Sequence, residues 1–315
     1  MDCKLDMADR DELSLVSVVI PAYNCCEYIG AAIDSALEQD YLNIEIIVVD
    51  DGSIDETSKV LEGYGTRITV VSQENSGVSA ARNVGIEKSR GDIVAFLDAD
   101  DKWEKEKIST QVKCFMEHPD VSLVYTNRSI VNNENYKIEL PEVKSVQGEI
   151  SRVDDFGPIF LTPFLQTSSV AVTKKVLKEV GGFDVRMGAA EDIDLYYRIA
   201  YVSPVVFINR KLVKVNIRQN SLSSTADTFM SHMGVMALFL SRNPEFKRNN
   251  GILVSKAFSI LHANLGEKYL WNTQVKHAIQ HLVISLAYAR TRKSFLLLLK
   301  ALTPYVWIKA FIIKH

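Results

Sequence analysis

Apolar positions in the first hundred residues fall into short unbroken runs separated by amphipathic stretches. Leu15 to Asn24, LVSVVIPAYN, is β-branched and closes on a proline, as a buried strand does. GAAIDSALEQ then places Ala32, Ile33, Ala36 and Leu37 at helical spacing. Ile44 to Asp51, IEIIVVDD, reads as a second buried strand and ETSKVLEGY as a short helix. RITVVSQ is a third strand, GVSAARNVGIEKS a helix, and GDIVAFLDADD a fourth strand. Strand and helix thus alternate with short connections, which predicts an α/β fold: a mostly parallel, Rossmann-like sheet covered by helices. In such sheets ligands bind beyond the carboxyl ends of the strands.

From Lys102 the alternation loosens. KEKISTQVKCFMEH reads as a helix and VSLVYTN as a strand, followed by a polar, irregular stretch expected to form a hairpin or loop. QTSSVAVTKKVLKEVGGFD reads as strand, then helix, then a stop at Gly181-Gly182. AEDIDLYYRIAYVS is a further helix and VVFINRKLVKVNIR one or two strands; beyond Ala226 the pattern is helical almost throughout. The predicted organisation is a disordered segment over 1–14, an α/β domain over 15–225, and a helical region of four helices over 226–315.

Bulk properties narrow the function. The 315 residues are 47% hydrophobic and 24% charged, ordinary for a globular chain. A net charge of −3 argues against a nucleic-acid partner. Cys3, Cys25, Cys26 and Cys114 form no CxxC pair, so reduced thiols and a cytoplasmic location are expected. The acidic start MDCKLDMADRDELS shows no apolar signal-peptide region.

The candidate chemistry sits where three strands end: PAYN, DDGS and DADD. In extended chain Asp98 and Asp100 point to one side and Asp101 to the other. Two convergent carboxylates suit Mg²⁺ or Mn²⁺, which bind through one or two carboxylates plus substrate phosphates. A solvated strand-end turn would also use Asp, but not with matching polar clusters at the two other strand ends.

VSVVIPAYN, IIVVDDGSIDET, NSGVSAARNVGI, GDIVAFLDADD and GGFDVRMGAAEDIDLYYRI follow in that order over 15–224, and together they resemble a family 2 glycosyltransferase of the GT-A fold. The resemblance implies an inverting enzyme using a nucleotide-diphosphate sugar, commonly a UDP-sugar, and a divalent metal. It places Pro21, Tyr23 and Asn24 along the nucleotide, with Asp51 at the base edge and Asp50 structural. Arg82 would lie near the nucleotide and the metal. Asp98 would reach the ribose or metal, with Asp100 the principal metal ligand. Asp192 resembles the general base and Glu191 its neighbour that orients acceptor or base. The chemistry is consistent: charge builds on a departing diphosphate, and an attacking hydroxyl must lose a proton on the opposite side. Acids in a first helical turn also simply complement the helix dipole, so Glu191 and Asp192 mean little without the other motifs.

One departure stands out. VNIRQNSLSS has Asn216 and Arg218 where members often carry Arg-x-His, so a metal-ligating His is replaced by an Arg that can clamp phosphate but not bind metal. A phosphohydrolase reading fails for want of D-x-D-x-[TV], a dehydrogenase for want of G-x-G-x-x-G, and a nucleotidyltransferase for want of a Gly-rich basic loop. The alternative of a different class is a non-catalytic nucleotide-sugar or glycan-binding module of the same fold.

The C-terminal stretch TRKSFLLLLKALTPYVWIKAFIIKH is apolar, flanked by basic residues, and interrupted by Lys300, Pro304 and Lys309. Burying each lysine at a bilayer centre costs roughly 2.5–3.5 kcal/mol, so interfacial attachment is favoured over spanning. That predicts a peripheral position on the inner face of a membrane, an anionic membrane surface as a partner, and a glycan or lipid-linked glycan acceptor. His277 and His281, spaced i, i+4 without a third ligand, read as surface or packing residues.

Overall fold

The computed structural model describes residues 14–132, 137–138, 148–161, 165–217 and 226–303. The predicted disorder of 1–14 falls almost wholly outside these residues. Two compact units are present: one holds described residues through Asp155 together with 165–217, the other holds 156–161 together with 226–303.

The first unit is built on a ten-stranded sheet. Its first half consists of β1 (Val16–Ala22), α1 (Ile29–Leu37), β2 (Ile44–Asp50), α2 (Thr57–Glu62), β3 (Thr69–Ser72), α3 (Val78–Lys88) and β4 (Ile93–Phe96). Then come β5 (Lys102–Trp103), α4 (Lys107–Glu117), β6 (Leu123–Asn132), β7 (Lys137–Ile138) and β8 (Ile150–Val153). Past α5 (Phe156–Leu161), which belongs to the other unit, follow β9 (Val170–Thr173), α6 (Lys174–Val180), α7 (Glu191–Val202) and β10 (Val205–Ile217). The main path runs β3-β2-β1-β4-β9-β6-β10-β5.

β1, β2, β3 and β4 pair in parallel, as their β-branched runs and helical crossovers require. The second half is mixed: β9 lies antiparallel between β4 and β6, while β10 runs parallel to β6. The insertion of β9 was not legible, because its buried run VAVT carries no sign of direction. β10 is a single strand whose register against β6 shifts between Ile208 and Val213, which accounts for the break in its apolar pattern. The polar stretch after Asn127, expected to form a hairpin or loop, continues β6 to Asn132, and β7 pairs with it antiparallel as a hairpin partner.

Side-chain alternation along β1 divides the core. Val16, Val18 and Ile20 face a layer made by Ile29, Ile33 and Ala36 of α1 and Ile108, Val112 and Phe115 of α4. On the other face Val19 meets α3 at Gly85, where a Cβ would lie 2.3 Å from Val19 Cγ1, so only glycine lets the helix approach. Each fully buried Val or Ile contributes about 1.5–3 kcal/mol.

The second unit contains α5, α8 (Ala226–Arg242), α9 (Pro244–Asn249), α10 (Gly251–Trp271), α11 (Val275–Tyr288) and α12 (Arg292–Ala301). Among the described residues five helices therefore follow residue 225 rather than four, because Pro244 starts a separate short one. Phe156 and Phe160 join Phe239 and Phe246 in an aromatic cluster, which explains why 156–161 belongs here and not with the sheet. A buried hydroxyl chain ties three helices: Ser259 Oγ lies 3.0 Å from Ser285 Oγ, and Ser285 Oγ lies 2.7 Å from Ser294 Oγ. His281 packs on His262 with their Nδ1 atoms 2.9 Å apart, and His277 packs on Tyr269. No described helix is long and apolar enough to cross a membrane.

Candidate active site

Hydrogen bonds stitch together the first two strand-end loops of the parallel half. Asn24, in the left-handed region at φ 46°, accepts from Ile54 N through Oδ1 at 2.9 Å and donates its amide to Ser53 Oγ at 3.0 Å. This binds PAYN to DDGS; Tyr23 beside it is 50% exposed, and Pro21 is half-buried at the end of β1. Asp50 caps its own turn, accepting from Ser53 N and Ser58 Oγ. Asp51 is buried and accepts from Ser76 N (2.9 Å), Gly77 N (2.8 Å) and Gln73 Nε2 (2.6 Å). Its charge thus orders the loop that leads into α3.

After Phe96 the chain leaves the sheet. The Asp98–Asp101 stretch is not extended but turned, with Asp101 N donating to Asp98 O at 3.0 Å. The sequence pattern separated Asp101 from the other two, and the turn does so by a different route. Asp98 and Asp100 are half-buried, whereas Asp101 is 2% exposed and accepts from Ser168 Oγ (2.6 Å) and Asn216 N (3.0 Å). Burial, together with the Asp98 and Asp100 charges, holds the Asp101 carboxyl well above the usual carboxylate range.

Arg82 connects this turn to α7. Its Nη2 donates to Asp98 Oδ1 and its Nη1 to Glu191 Oε1, each at 2.7 Å. Its guanidinium lies 5.2 Å from the Phe183 ring centroid. Burial opposes the charge on Arg82, but Asp98 and Glu191 outweigh it and hold the guanidinium above its ordinary pKa. Asp192 accepts from Ile193 N at 2.8 Å and from Thr167 Oγ1 at 3.2 Å. Burial, then the Glu191 charge, pushes the Asp192 carboxyl up to about 6 against the pull of Arg82. Just ahead, Ala190 takes a left-handed conformation at φ 61°, uncommon for a residue with a Cβ and typical of constrained sites.

The fold therefore brings Arg82, Asp98, Glu191 and Asp192 into one network, and Asp100 stands in the same turn as Asp98. Arg218 lies outside the described residues. Among the described residues no three His, Cys, Asp or Glu side chains are arranged to hold a metal ion. Asp98 and Asp100 offer the oxygen donors that a hard cation takes when phosphate and water complete its shell.

Several supporting residues went unread in the sequence. Asn83 pins the GGFD loop, donating Nδ2 to Phe183 O (2.8 Å) and accepting Phe183 N at Oδ1 (2.9 Å). Arg198 grips the same loop through Val180 O and Gly182 O, both at 2.7 Å. Gly182, at φ 67°, packs so tightly that a Cβ would sit 2.7 Å from Asn83 Oδ1. Asn83, Phe183 and Arg198 lay inside the motifs already singled out, so the signal was present but assigned to their neighbours. Thr167 and Ser168 had no signal beyond a polar strand start.

The family model described as glycosyl transferase family 2 matches residues 17–180, more than half of the chain. The chain belongs to glycosyl transferase family 2. An uncharacterized glycosyltransferase of Rickettsia typhi, RT0329, is 33% identical over 218 residues, 67% of each chain. Chondroitin synthase of Escherichia coli is 26% identical over 252 residues, 74% of this chain but 35% of its own length. The chain thus spans about a third of that longer relative. In fold, the chain resembles S. aureus TarS 1-349 in complex with UDP-GlcNAc (TM-score 0.60, 19% identity, 87% of this chain and 91% of that one). It also resembles the mannosyltransferase PcManGT of Pyrobaculum calidifontis in complex with GDP-Man and Mn2+ (TM-score 0.61, 20% identity, 95% and 83% covered). This family 2 member is a glycosyltransferase of the GT-A fold. Glu191 and Asp192 lie beyond the matched residues.

Proposed function

We propose that this glycosyltransferase inverts configuration at the anomeric carbon as it transfers a sugar from a nucleotide-diphosphate donor, a UDP-sugar first among the candidates. The acceptor is a hydroxyl of a glycan or lipid-linked glycan, in the synthesis of a surface polysaccharide. Relatives and fold neighbours named for chondroitin synthesis and bound to UDP-GlcNAc or GDP-Man support this reading. The observation that carries it is the double contact of Arg82, which holds the strand-end carboxylate Asp98 and the helix-start carboxylate Glu191 on one guanidinium.

In this reading Pro21, Tyr23, Asn24 and Asp51 form the nucleotide side. A divalent cation, Mn²⁺ or Mg²⁺, held through Asp98 and Asp100 would neutralise the charge of the departing diphosphate. Asp192 receives the acceptor proton: the acceptor oxygen bonds to the anomeric carbon, the bond to phosphate breaks, and its electron pair leaves with the nucleoside diphosphate. Arg82 keeps Glu191 and Asp98 in fixed places without consuming Asp192. The second unit supplies the membrane contact: Phe295, Leu296, Leu299 and Leu302 of α12 and its C-terminal end are about half exposed beside Arg292, Lys293 and Lys300, suiting an anionic bilayer surface.

A panel of nucleotide-diphosphate sugars with Mn²⁺, followed by proton NMR of the sugar first released, tests the reading. An α-linked donor should give the β anomer first. Retained configuration would exclude single displacement, and no turnover of any donor would count against catalysis.

A further inference from the structure

One short turn touches both halves of the active site. Thr167, Ser168 and Ser169 form a buried 3-10 turn immediately before β9. Thr167 Oγ1 donates to Asp192 Oδ2 at 3.2 Å. Its neighbour Ser168 donates from Oγ to Asp101 Oδ2 at 2.6 Å and accepts from Asp98 N at 3.0 Å. The turn is clamped to the core from behind: Trp103 Nε1 donates to Ser168 O (2.7 Å) and Gln111 Nε2 to Ser169 O (2.9 Å).

Asp192 has one oxygen on Ile193 N and the other on Thr167, so the plane of its carboxylate is set by two donors. Without the hydroxyl, one oxygen would lose its donor and the carboxylate could turn about its last bond. Displacements near 1 Å at a reacting group cost on the order of 10²-fold in rate.

We propose that this turn aligns the active site, with Thr167 the positioning residue for Asp192 and Ser168 the positioning residue for the Asp98–Asp101 turn. Their adjacency fixes the proton acceptor relative to the donor-binding carboxylates through a single rigid piece of backbone. The inference rests on Asp192 being the base, as proposed above.

Full-length Thr167→Val, Thr167→Ser, Ser168→Ala, Asp192→Asn and the Thr167→Val/Asp192→Asn double variant test it. The assays are nucleoside-diphosphate release from the donor that the panel selects, starting with UDP-GlcNAc and GDP-mannose, and calorimetric binding of the matching nucleotide with and without Mn²⁺. Thr167→Val should lower kcat roughly 10–100-fold and leave nucleotide Kd within about twofold, the loss expected for one hydrogen bond to a charged group. Thr167→Ser should restore kcat to within about threefold, since it keeps that bond. Thr167→Val should add nothing to Asp192→Asn, and Ser168→Ala should weaken binding in the presence of Mn²⁺ only. Retained nucleotide binding reports a folded site, and Thr167→Ala repeats the test if valine is not accommodated. Unchanged kcat in Thr167→Val beside a crippled Asp192→Asn overturns the inference alone and leaves the base assignment standing. A Thr167→Val loss that persists in full on the Asp192→Asn background also overturns it, because Thr167 would then act elsewhere. Normal turnover by Asp192→Asn removes the base assignment and the inference with it.

Discussion

Arg82 and Glu191 stand 109 positions apart in the sequence and 2.7 Å apart in the fold. The contact joins α3 to the start of α7, and the other arm of the same guanidinium reaches Asp98. A planar fork with several fixed donors can serve two carboxylates in different elements at once.

Removing that fork should be costly. Arg82→Met leaves Asp98 and Glu191 charged and partly buried without their cation, which predicts a loss of about 3–5 kcal/mol. Arg82→Lys should recover only part of it, since one ammonium cannot hold both carboxylates as the fork does. Urea unfolding of the three proteins checks the order; equal stability of wild type and Arg82→Met would contradict it.

The pH dependence follows from Asp192. Its carboxyl titrates at about 6 in the fold, and only the ionised form can accept the acceptor proton. Turnover should therefore rise with pH below about 6 and level off above about 7. A profile flat from pH 5 to 8 would mean that Asp192 is not the group whose ionisation limits the reaction.

The GGFD loop should matter for the site without touching substrate. Asn83→Ala strips Phe183 N and O of their partners. An unsatisfied buried amide costs about 1–3 kcal/mol, so melting should shift down by that equivalent. Turnover should fall as well, because Phe183 underlies Arg82. Unchanged turnover in a folded variant would detach the loop from catalysis.

The legible part of this protein was its parallel half. β1, β2 and β4 announced themselves because strands buried on both faces need continuous apolar runs, and each run ended on polar residues that marked a loop. Asp98 stood out for a related reason, as a carboxylate next to a buried run; Glu191 and Asp192 stood out only through the family resemblance, because acids in a first helical turn are ordinary. What stayed hidden depends on contacts distant in sequence. Thr167 and Ser168 look like any polar entry into a strand until the fold sets them against Asp192 and Asp101. The antiparallel placement of β9 between β4 and β6, and the transfer of 156–161 to the helical unit, follow from pairing and aromatic packing that no local pattern encodes.

The helical unit should be acid-sensitive. Burial lowers His232 to about 4, below its ordinary 6.5. The unfolded chain therefore binds the proton first as pH falls below 6.5, and the fold loses stability until the folded value is reached. From this residue alone the loss at pH 5 is about 2 kcal/mol. Urea unfolding at pH 7 and pH 5 should show it, and His232→Phe should flatten the difference; an equally steep loss in that variant would assign the acid sensitivity to other groups.

A metal-dependent nucleotide site on the Asp98–Asp101 turn is tested by calorimetric titration of UDP and GDP into wild type and Asp100→Ala, with Mn²⁺ and with EDTA. Asp100 is half-buried in a turn, and the melting midpoint of Asp100→Ala, measured alongside, reports whether the variant is folded. Wild type should bind one of the two nucleotides in Mn²⁺, EDTA should weaken this binding, and Asp100→Ala should no longer respond to the metal. Equal affinity for that nucleotide in all four pairings of protein and metal condition, or no nucleotide binding by the wild type, would contradict it.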